Sequence, residues 1–316
     1  MAEKFGFATT ALEVVEAFPD AARGSTAVVT GGNSGIGAET VRALARAGCA
    51  HVVLCARNVE AGQRVADDVN SEVKSDVVKV VELDLADLDR VKAAAEQIKE
   101  VHPGIDLLVL NAGVMACPLT RTKQGFEMQL GTNHIGHFLL SKLLLDSVIA
   151  AGTAARPSRV VVVSSIAHAM GRIWLDDLNY EKRWYEAWSA YGQSKLANVL
   201  FARQLAKRLA AENHSNVLVY CLHPGSIQTN LQRHSVFSKL FQGFFARFPF
   251  WRGKFAFSTK TIPEGAATTM VACLRPGLEP GSYLVDCQVG KTITEGEDEE
   301  MMERLWDATE ELVRSY

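Results

Sequence analysis

The chain has 316 residues, a net charge of −3 and a pI near 6.3, which gives no reason to expect a nucleic acid as its main partner. Its six cysteines are scattered through apolar segments without a C-x-x-C pair, which excludes a disulfide framework and indicates small core residues of a reducing compartment. We find neither a signal peptide nor a span of about twenty apolar residues, so we expect a soluble intracellular protein of the cytoplasm or of an organellar stroma.

Short apolar β-branched runs alternate with helical patterns along most of the chain. A short helix over 10–18 and a break over 20–24 come first, and they form an N-terminal extension over 1–24. The predicted strands are Thr26–Thr30, His51–Ala56, Val77–Glu82, Asp106–Leu110, Arg159–Val163, Val217–Leu222 and an edge strand, Ser282–Asp286. Helical patterns end near Ala47, cover about 125–150 and 189–212, and end again near Val313 after the acidic run 295–300.

This alternation predicts right-handed βαβ units. We therefore expect an α/β fold in which residues 25–316 form a single Rossmann-type domain, because no linker or repeat marks a second domain. The sheet should be doubly wound, mostly parallel and seven-stranded, with helices on both faces. Ligands of such sheets bind beyond the carboxyl ends of the strands, which is where the polar residues lie in this sequence.

The first strand runs directly into a glycine-rich turn and then a helix. This order is typical of a phosphate site, because glycines let the backbone approach a pyrophosphate and the amides at the helix start meet its charge. The spacing is G-x-x-x-G-x-G rather than the commoner G-x-G-x-x-G, and an ordinary glycine-rich βα loop is the alternative. The candidate phosphate-binding residues are Gly31, Asn33, Ser34, Gly35, Ile36 and Gly37.

The residues after the second strand bear on the choice of cofactor. NAD sites place a carboxylate here for the ribose 2′-hydroxyl, whereas an arginine accommodates a 2′-phosphate. This chain has Ala56-Arg57-Asn58 and no acid. We therefore expect NADP(H) rather than NAD(H), with Arg57 and either Asn33 or Ser34 of the glycine-rich turn around the phosphate. The alternative is that Arg57 is a solvated loop residue.

Tyr191 and Lys195 stand four residues apart in the pattern over 189–212, so both side chains project from the same helix face. A cation beside a phenol favours the phenolate and brings its pKa toward neutral pH, which suits proton transfer. Taken alone the pair is weak, because a half-buried tyrosine beside a solvated lysine is a common arrangement.

Seven short motifs in register carry a family resemblance from residue 26 to about 290. They resemble the short-chain dehydrogenase/reductase pattern, and several segments are similar to the retinol-dehydrogenase branch, which includes chloroplast-envelope relatives associated with the protein-import machinery. The seven are Thr30-Gly31-x-x-x-Gly35-Ile36-Gly37, Asp84-Leu85, Asn111-Ala112-Gly113, Asn133, Ser165, Tyr191-x-x-x-Lys195 and Pro224-Gly225-x-x-x-Thr229. The branch resemblance rests on 111–117, 132–138, 164–168, 223–225 and 304–306.

The resemblance implies that Tyr191 exchanges a proton with the substrate oxygen and that Lys195 lowers its pKa and holds the nicotinamide ribose. It further implies that Ser165, rather than Ser164, binds the substrate oxygen, and that Asn133 fixes a water chain to Lys195. The remaining residues implied in cofactor binding are Asn58, Asp84, Leu85, Asn111, Ala112, Gly113, Pro224, Gly225, Ile227 and Thr229. Relatives form dimers or tetramers through the helices flanking Asn133 and Tyr191, which implies a homodimer without settling it.

Two segments bear on the substrate. The insert over 168–189 carries Trp174, Trp184, Tyr185 and Trp188 and should form one wall of the substrate mouth. The segment 231–262 holds eight of the fourteen phenylalanines and six Lys or Arg residues without an acid. In the family this stretch is the substrate lid, so we expect a lipophilic substrate and peripheral membrane contact; a core or dimer contact is the alternative.

We therefore expect an NADP(H)-dependent oxidoreductase that interconverts a carbonyl and an alcohol on a lipophilic molecule such as retinal. An NADP(H)-sensing binding protein at a membrane or translocon and a reductase of polar metabolites are the alternatives. No metal is expected, because His134, His137, His168 and His223 are spaced unlike a ligand set and structural histidines are commoner.

Overall fold

The strands of the fold are given by a computed structural model, which describes residues 5–227 and 259–316. They are β1 (Thr26–Thr30), β2 (His51–Ala56), β3 (Val78–Glu82), β4 (Leu107–Leu110), β5 (Ser158–Val163), β6 (Val217–His223), β7 (Ser226–Ile227), β8 (Thr259–Lys260), β9 (Tyr283–Val285) and β10 (Gln288–Val289). Eight of them form one sheet in the order β10-β9-β6-β5-β4-β1-β2-β3. All neighbours in it are parallel except β9 and β10. The predicted doubly wound, mostly parallel sheet is confirmed.

The eighth strand is the difference from the predicted seven. It is only two residues long, Gln288–Val289, and pairs antiparallel with β9. Asp286 and Cys287 form the connection with positive φ angles of 49° and 65°, the backbone of a tight two-residue hairpin turn. A two-residue strand has no periodicity to detect, and Asp-Cys is not a common turn pair for such a hairpin.

Nine α-helices are present in the described part of the chain. They are α1 (Ala11–Ala17), α2 (Gly35–Arg46), α3 (Val59–Val73), α4 (Leu88–Val101), α5 (Met128–Leu130), α6 (Gly136–Ala151), α7 (Ala187–Ala211), α8 (Ile262–Leu274) and α9 (Glu299–Leu312). A π-helical turn, Gly131–Ile135, joins α5 to α6. α7 starts two residues before the predicted Ser189, because the Glu186 carboxylate accepts hydrogen bonds from the amides of Trp188 and Ser189.

The two faces of the sheet carry separate cores. Side chains alternate along each strand, so Val28 of β1 packs with α4, α6, α7 and α9, whereas Ala27 and Val29 pack with α1, α2, α3 and α8. α1 contributes Ala11 and Val14, both fully buried, to the second core. Helices thus cover both faces, as predicted, and the carboxyl edge of the sheet is left for a ligand.

The sequence led us to expect no apolar span of membrane length, but the helical segment Met128–Ala151 is one. It is 24 residues long with a mean hydropathy of 1.3, enough to cross a membrane by length and composition. Most of it is buried inside the protein, and its side chains Phe138, Leu140 and Leu144 belong to the core beneath the sheet. A central helix that is covered by protein on most sides is apolar for that reason.

A small parallel ribbon stands beside β6. Ser226 pairs with Thr259 and Ile227 with Lys260, so the chain ends that flank residues 228–258 lie next to each other. The Lys260 side chain is fully buried, with its ammonium 2.6 Å from the Asp286 carboxylate. Thr229 and most of the predicted lid, 231–262, lie outside the described residues.

Candidate active site at the carboxyl edge of the sheet

The predicted site residues follow the carboxyl ends of six parallel strands. Because these strands run the same way, the residues after them meet at one edge of the sheet. Gly31 follows β1, Arg57 follows β2, and Asp84 lies two residues beyond β3. Asn111, Ala112 and Gly113 follow β4, Ser164 and Ser165 follow β5, and Pro224 and Gly225 follow β6. α7 and the turn before α6 bring Tyr191, Lys195 and Asn133 to the same edge, as the contacts below show.

The turn between β1 and α2 forms a cradle that side chains would fill. A Cβ at Gly37 would overlap the Gly31 carbonyl oxygen, and a Cβ at Gly31, where φ is +68°, would lie 2.9 Å from the Ala112 Cα. Ser34 precedes the first turn of α2, and its side chain makes no capping hydrogen bond with the described residues. The amides at the start of α2 therefore remain available to an anion, and this fits the diphosphate of a dinucleotide.

The loop after β4 is fastened to the end of β1. The Thr30 hydroxyl accepts hydrogen bonds from the amides of Asn111 at 2.9 Å and Ala112 at 3.0 Å. The Asn111 side chain donates to the Thr30 carbonyl at 2.9 Å. These bonds hold the loop against the glycine turn, so one rigid surface can face a nucleotide.

The outer part of the cradle is built from β2 and β3. Arg57 is exposed directly after the buried Ala56, so a cation and no carboxylate stands at the end of β2. The Asn58 side chain accepts from the Ala61 amide at 2.9 Å and so caps α3. The Asp84 carboxylate accepts from the Ala86 amide at 3.0 Å, which fixes the loop that contains Leu85.

Tyr191, Ser165 and Lys195 come together at the ends of β5 and α7. The Ser165 hydroxyl lies beside the Tyr191 phenol and slightly opposes the rise of its pKa. The Lys195 ammonium donates to the Val163 carbonyl at 3.0 Å and lies 5.8 Å from the centre of the Tyr191 ring. Tyr191 is only 8% exposed and Lys195 4%, which excludes most water from both groups.

The pKa of Tyr191 is shifted in the direction opposite to the one expected from the sequence. Burial raises the pKa of Tyr191 to about 12, with only a partial opposing effect from the bond to Ser165. The expected lowering of the Tyr191 pKa by Lys195 is not found, and the Lys195 ammonium donates to the Val163 carbonyl. Burial lowers the pKa of Lys195 to about 8. The phenol is therefore protonated at neutral pH.

Asn133 lies inside the π-helical turn between α5 and α6. Its side chain accepts from the Val114 amide at 2.8 Å and donates to the Val114 carbonyl at 2.9 Å and to the Ser194 hydroxyl at 2.9 Å. A Cβ at Gly113 would lie 3.1 Å from the Asn133 carbonyl-group oxygen Oδ1 and 3.5 Å from the Lys195 nitrogen. Asn133 thus ties α7 to the loop after β4 beside Lys195. π-helical turns are frequent at functional sites.

The two adjacent serines have different partners. The Ser164 hydroxyl donates to the Lys195 carbonyl at 2.7 Å and is buried, whereas Ser165 contacts the Tyr191 phenol. The Ser165 oxygen also accepts from the Ala167 amide at 3.2 Å, so it caps a short turn as well. Of the pair, only Ser165 has its hydroxyl beside the candidate proton donor.

Three buried histidines support this site, a role that the sequence reasoning missed. The rings bind main-chain groups: His137 Nδ1 bonds the Asn133 carbonyl at 2.9 Å, His168 Nδ1 the Ser165 carbonyl at 2.7 Å, and His223 Nδ1 accepts from the Ile166 amide at 3.1 Å. In the sequence these histidines lie within four residues of Asn133, Ser165 and Pro224, and this proximity could have indicated their role.

The aromatic residues of the insert divide into distinct environments. Trp188 packs edge-on against Tyr191, with 6.0 Å between ring centres. Trp174 lies between the guanidinium groups of Arg172 and Arg183. Trp184 is 90% exposed, and the Tyr185 hydroxyl donates to the Cys117 carbonyl. Only Trp188 of this group is shown against the catalytic cluster.

Over 5–227 and 259–316, no three His, Cys, Asp or Glu side chains are grouped as a metal site. All six cysteines are free thiols, and five of them are buried.

The family model described as short chain dehydrogenase matches residues 25–238. Human retinol dehydrogenase 11 is 41% identical over 292 residues, which cover 92% of this chain and 86% of that protein. Human retinol dehydrogenase 13 is 38% identical over 291 residues, covering 92% of this chain and 85% of its own.

Solved structures share the fold. A protein from Mycobacterium paratuberculosis has a TM-score of 0.74 and 35% identity, covering 95% of this chain and 97% of its own. The NADP complex of RhlG from Pseudomonas aeruginosa has a TM-score of 0.65 and 24% identity, covering 84% and 96%. The NADH complex of a Brucella melitensis 3-ketoacyl-(acyl-carrier-protein) reductase reaches 0.62 at 21% identity, covering 83% and 96%. These two show the fold alone, and they hold different nicotinamide cofactors.

The family match extends from β1 past β6 and includes the glycine turn, Ser165, Tyr191 and Lys195. The similarity to retinol dehydrogenases continues over almost the whole chain. The protein therefore belongs to the short-chain dehydrogenase family, whose members are oxidoreductases that use a nicotinamide dinucleotide.

Proposed function

We propose that the protein is an NADP(H)-dependent oxidoreductase that interconverts a carbonyl and an alcohol on a lipophilic substrate. The observation that carries the proposal is the buried contact between Tyr191 and Ser165, beside Lys195 and at the same edge of the sheet as the glycine turn. A nucleotide seated on that turn would extend toward these hydroxyls, as in other doubly wound folds.

The chain's own residues supply the proton chemistry. When bound, the nicotinamide dinucleotide supplies or accepts the hydride. Tyr191 donates its proton to the carbonyl oxygen during reduction, and Ser165 hydrogen-bonds the same oxygen. The Lys195 ammonium stabilises the phenolate left behind, and the hydrogen bonds of Asn133 keep the neighbouring loop in place for proton return. Burial raises the pKa of Tyr191 to about 12, so the phenol carries the proton that reduction requires at neutral pH.

The preference for NADP(H) rests on the end of β2. Arg57 is exposed where a NAD-specific site would place a carboxylate. A planar guanidinium can bind the 2′-phosphate through two parallel hydrogen bonds. Asn33 and Ser34 precede α2 and are close to the same phosphate in this proposal.

The lipophilic substrate is supported by two observations. Trp188 packs against Tyr191, so an apolar ring borders the approach to the proton donor. The names of the similar human proteins specify retinol, an apolar alcohol. An apolar mouth fits retinoids and other lipophilic aldehydes, and it would disfavour sugars or acyl thioesters.

The test is NADPH oxidation with all-trans-retinal, measured beside NADH, beside a small sugar aldehyde and with Tyr191→Phe. We expect turnover with NADPH and retinal, and a loss of about 10²–10⁴-fold in the variant, because a positioned acid contributes that much. Unchanged turnover in Tyr191→Phe would refute the mechanism. NADPH binding without turnover on any apolar carbonyl would instead indicate an NADP(H)-sensing protein.

A further inference from the structure

His137 is a buried side chain whose two ring nitrogens both have partners. Nδ1 lies 2.9 Å from the Asn133 carbonyl oxygen and Nε2 lies 2.8 Å from the Thr30 hydroxyl, and the residue is only 1% exposed. A carbonyl oxygen can only accept, so Nδ1 must carry a proton. Burial lowers the pKa of His137 to about 4, and the ring is neutral at neutral pH. Nε2 therefore accepts from the Thr30 hydroxyl, and the tautomer is fixed by its partners.

The bonds of His137 close a ring around the loop after β4. At one end of the loop the Thr30 hydroxyl accepts from the amides of Asn111 and Ala112. At the other end the Asn133 side chain bonds both main-chain groups of Val114. His137 bridges Thr30 and Asn133, so the loop is held at both ends by residues that one imidazole joins.

The loop after β4 contacts both the cofactor turn and the surroundings of Lys195. Ala112 packs against Gly31 of the cofactor turn, where a Cβ would come within 2.9 Å of its Cα. Gly113 lies beside Lys195, since a Cβ there would be 3.5 Å from the Lys195 nitrogen. A displacement of the loop would therefore move the cofactor surface and the surroundings of Lys195 together.

We propose that His137 is a positioning residue that couples the cofactor surface to the Asn133 and Lys195 side of the site through the Thr30 hydroxyl. The proposal rests on the proposed function for its catalytic part. Histidine suits the task because the neutral ring presents a donor and an acceptor on opposite sides in one rigid plane. Asparagine would keep only the bond to the Asn133 carbonyl, and glutamine only the bond to Thr30.

The tautomer of the His137 imidazole is tested first, on the wild-type protein without any substrate. Long-range ¹H–¹⁵N correlation of the imidazoles should show His137 as the neutral Nδ1-protonated tautomer from pH 6 to 8. A charged ring or an Nε2-protonated ring would overturn the proposal. This measurement needs no variant to fold and no turnover to occur.

The coupling is tested by a double-mutant cycle on the dissociation constant of NADPH, using Thr30→Val and His137→Asn. Each single variant should weaken NADPH about three- to tenfold, and the double variant should be no weaker than the worse single one, because either change opens the same ring. Multiplying effects, or single effects below twofold, would overturn the proposal. Because only NADPH is used, this result stands apart from whether retinal is the substrate.

Two matched controls separate positioning from loss of packing. Thr30→Ser keeps the hydroxyl and should restore NADPH affinity to within about twofold of the wild type. His134→Gln replaces the neighbouring buried histidine, whose ring bonds Thr309 at 3.0 Å and not the site. It should leave the pH profile of kcat unchanged, whereas His137→Asn should lower kcat about tenfold and move the profile by about half a unit or more, since Asn133 borders Lys195. Equal profiles in the two histidine variants would contradict the coupling.

Discussion

Two regions of the site are built in different ways. At Gly37, after β1, the backbone can approach a ligand only because the residue has no side chain. At Ser165, after β5, the hydroxyl is held in place by contacts with other side chains. We call the first region the cofactor half (β1, β2 and the turn 31–37) and the second the catalytic half (β5, β6 and the start of α7). The first is specified by spacing that is visible in the sequence. The second is specified by buried partners that are distant in the sequence.

This difference predicts that a single side-chain oxygen decides the function of the catalytic half. Ser165→Ala should lower kcat/KM about 10²–10³-fold, because it removes a donor to the developing oxyanion. Ser164→Ala is the matched control: it removes the neighbouring hydroxyl, which is buried and donates to the Lys195 carbonyl. It should cost about 1 kcal/mol of unfolding free energy and change kcat/KM less than about threefold. Steady-state kinetics and thermal unfolding of both variants decide, and a reversed order would mean that Ser164 is the catalytic serine.

In the cofactor half, an added side chain should be enough to weaken cofactor binding. In Gly37→Ala the methyl group would overlap the Gly31 carbonyl and come within 2.5 Å of the Asn111 side-chain nitrogen. We expect a loss of NADPH affinity of roughly 100-fold, since overpacking of this kind costs about 1–3 kcal/mol and moves the anion-binding amides. Gly104→Ala, whose methyl would make an ordinary 3.5 Å contact with Ala151, should bind NADPH as the wild type does. NADPH fluorescence titration would contradict the idea if both variants bound equally.

The buried His134, which lies outside both halves, should make the stability of the protein sensitive to acid. Burial lowers the pKa of His134 to about 3, so between pH 3 and 6.5 the unfolded chain binds more protons than the folded one. Stability is therefore lost as the pH falls from 7, by about 2 kcal/mol for this residue at pH 5. His134→Gln should flatten the decline in unfolding free energy between pH 7 and 5, and His214→Gln, at the surface end of α7, should not. Equal slopes in the wild type and His134→Gln would contradict it.

The smallest expected effect concerns the cofactor half at its exposed rim. Arg57→Ala should weaken NADPH about tenfold and leave NADH unchanged, because one solvent-exposed charged contact with the 2′-phosphate is lost. Arg64→Ala, an exposed arginine of α3, serves as the control for net charge. Equal losses for NADPH and NADH would exclude Arg57 as the source of selectivity.

The sequence allowed much of the frame to be predicted. The bounds of the seven predicted strands differ from the observed bounds by no more than one residue, because buried parallel strands are continuous apolar runs with polar residues after them. The pairing of Tyr191 with Lys195 follows from helical spacing alone. β10 could not be predicted, since two residues carry no pattern.

What the sequence could not provide are partners fixed by three-dimensional contact. The wide turn at Asn133 sits inside an uninterrupted helical pattern, so the expected helix over 125–150 hid it. The raised pKa of Tyr191 depends on its burial, which is set by residues that are distant in the sequence. The histidines were set aside as structural, and only their hydrogen bonds connect them to the site.

The ribbon formed by β7 and β8 has a consequence for how such a protein can change. The chain leaves the edge of the site at Ile227 and returns at Thr259 beside it, and the returning strand is fastened by the buried contact of Lys260 with Asp286. We expect exchanges within 228–258 to leave both anchors in place, because the contacts of the anchors lie outside that segment. In the proposed oxidoreductase, evolution would then be able to alter the substrate range without altering the residues that carry out the proton chemistry.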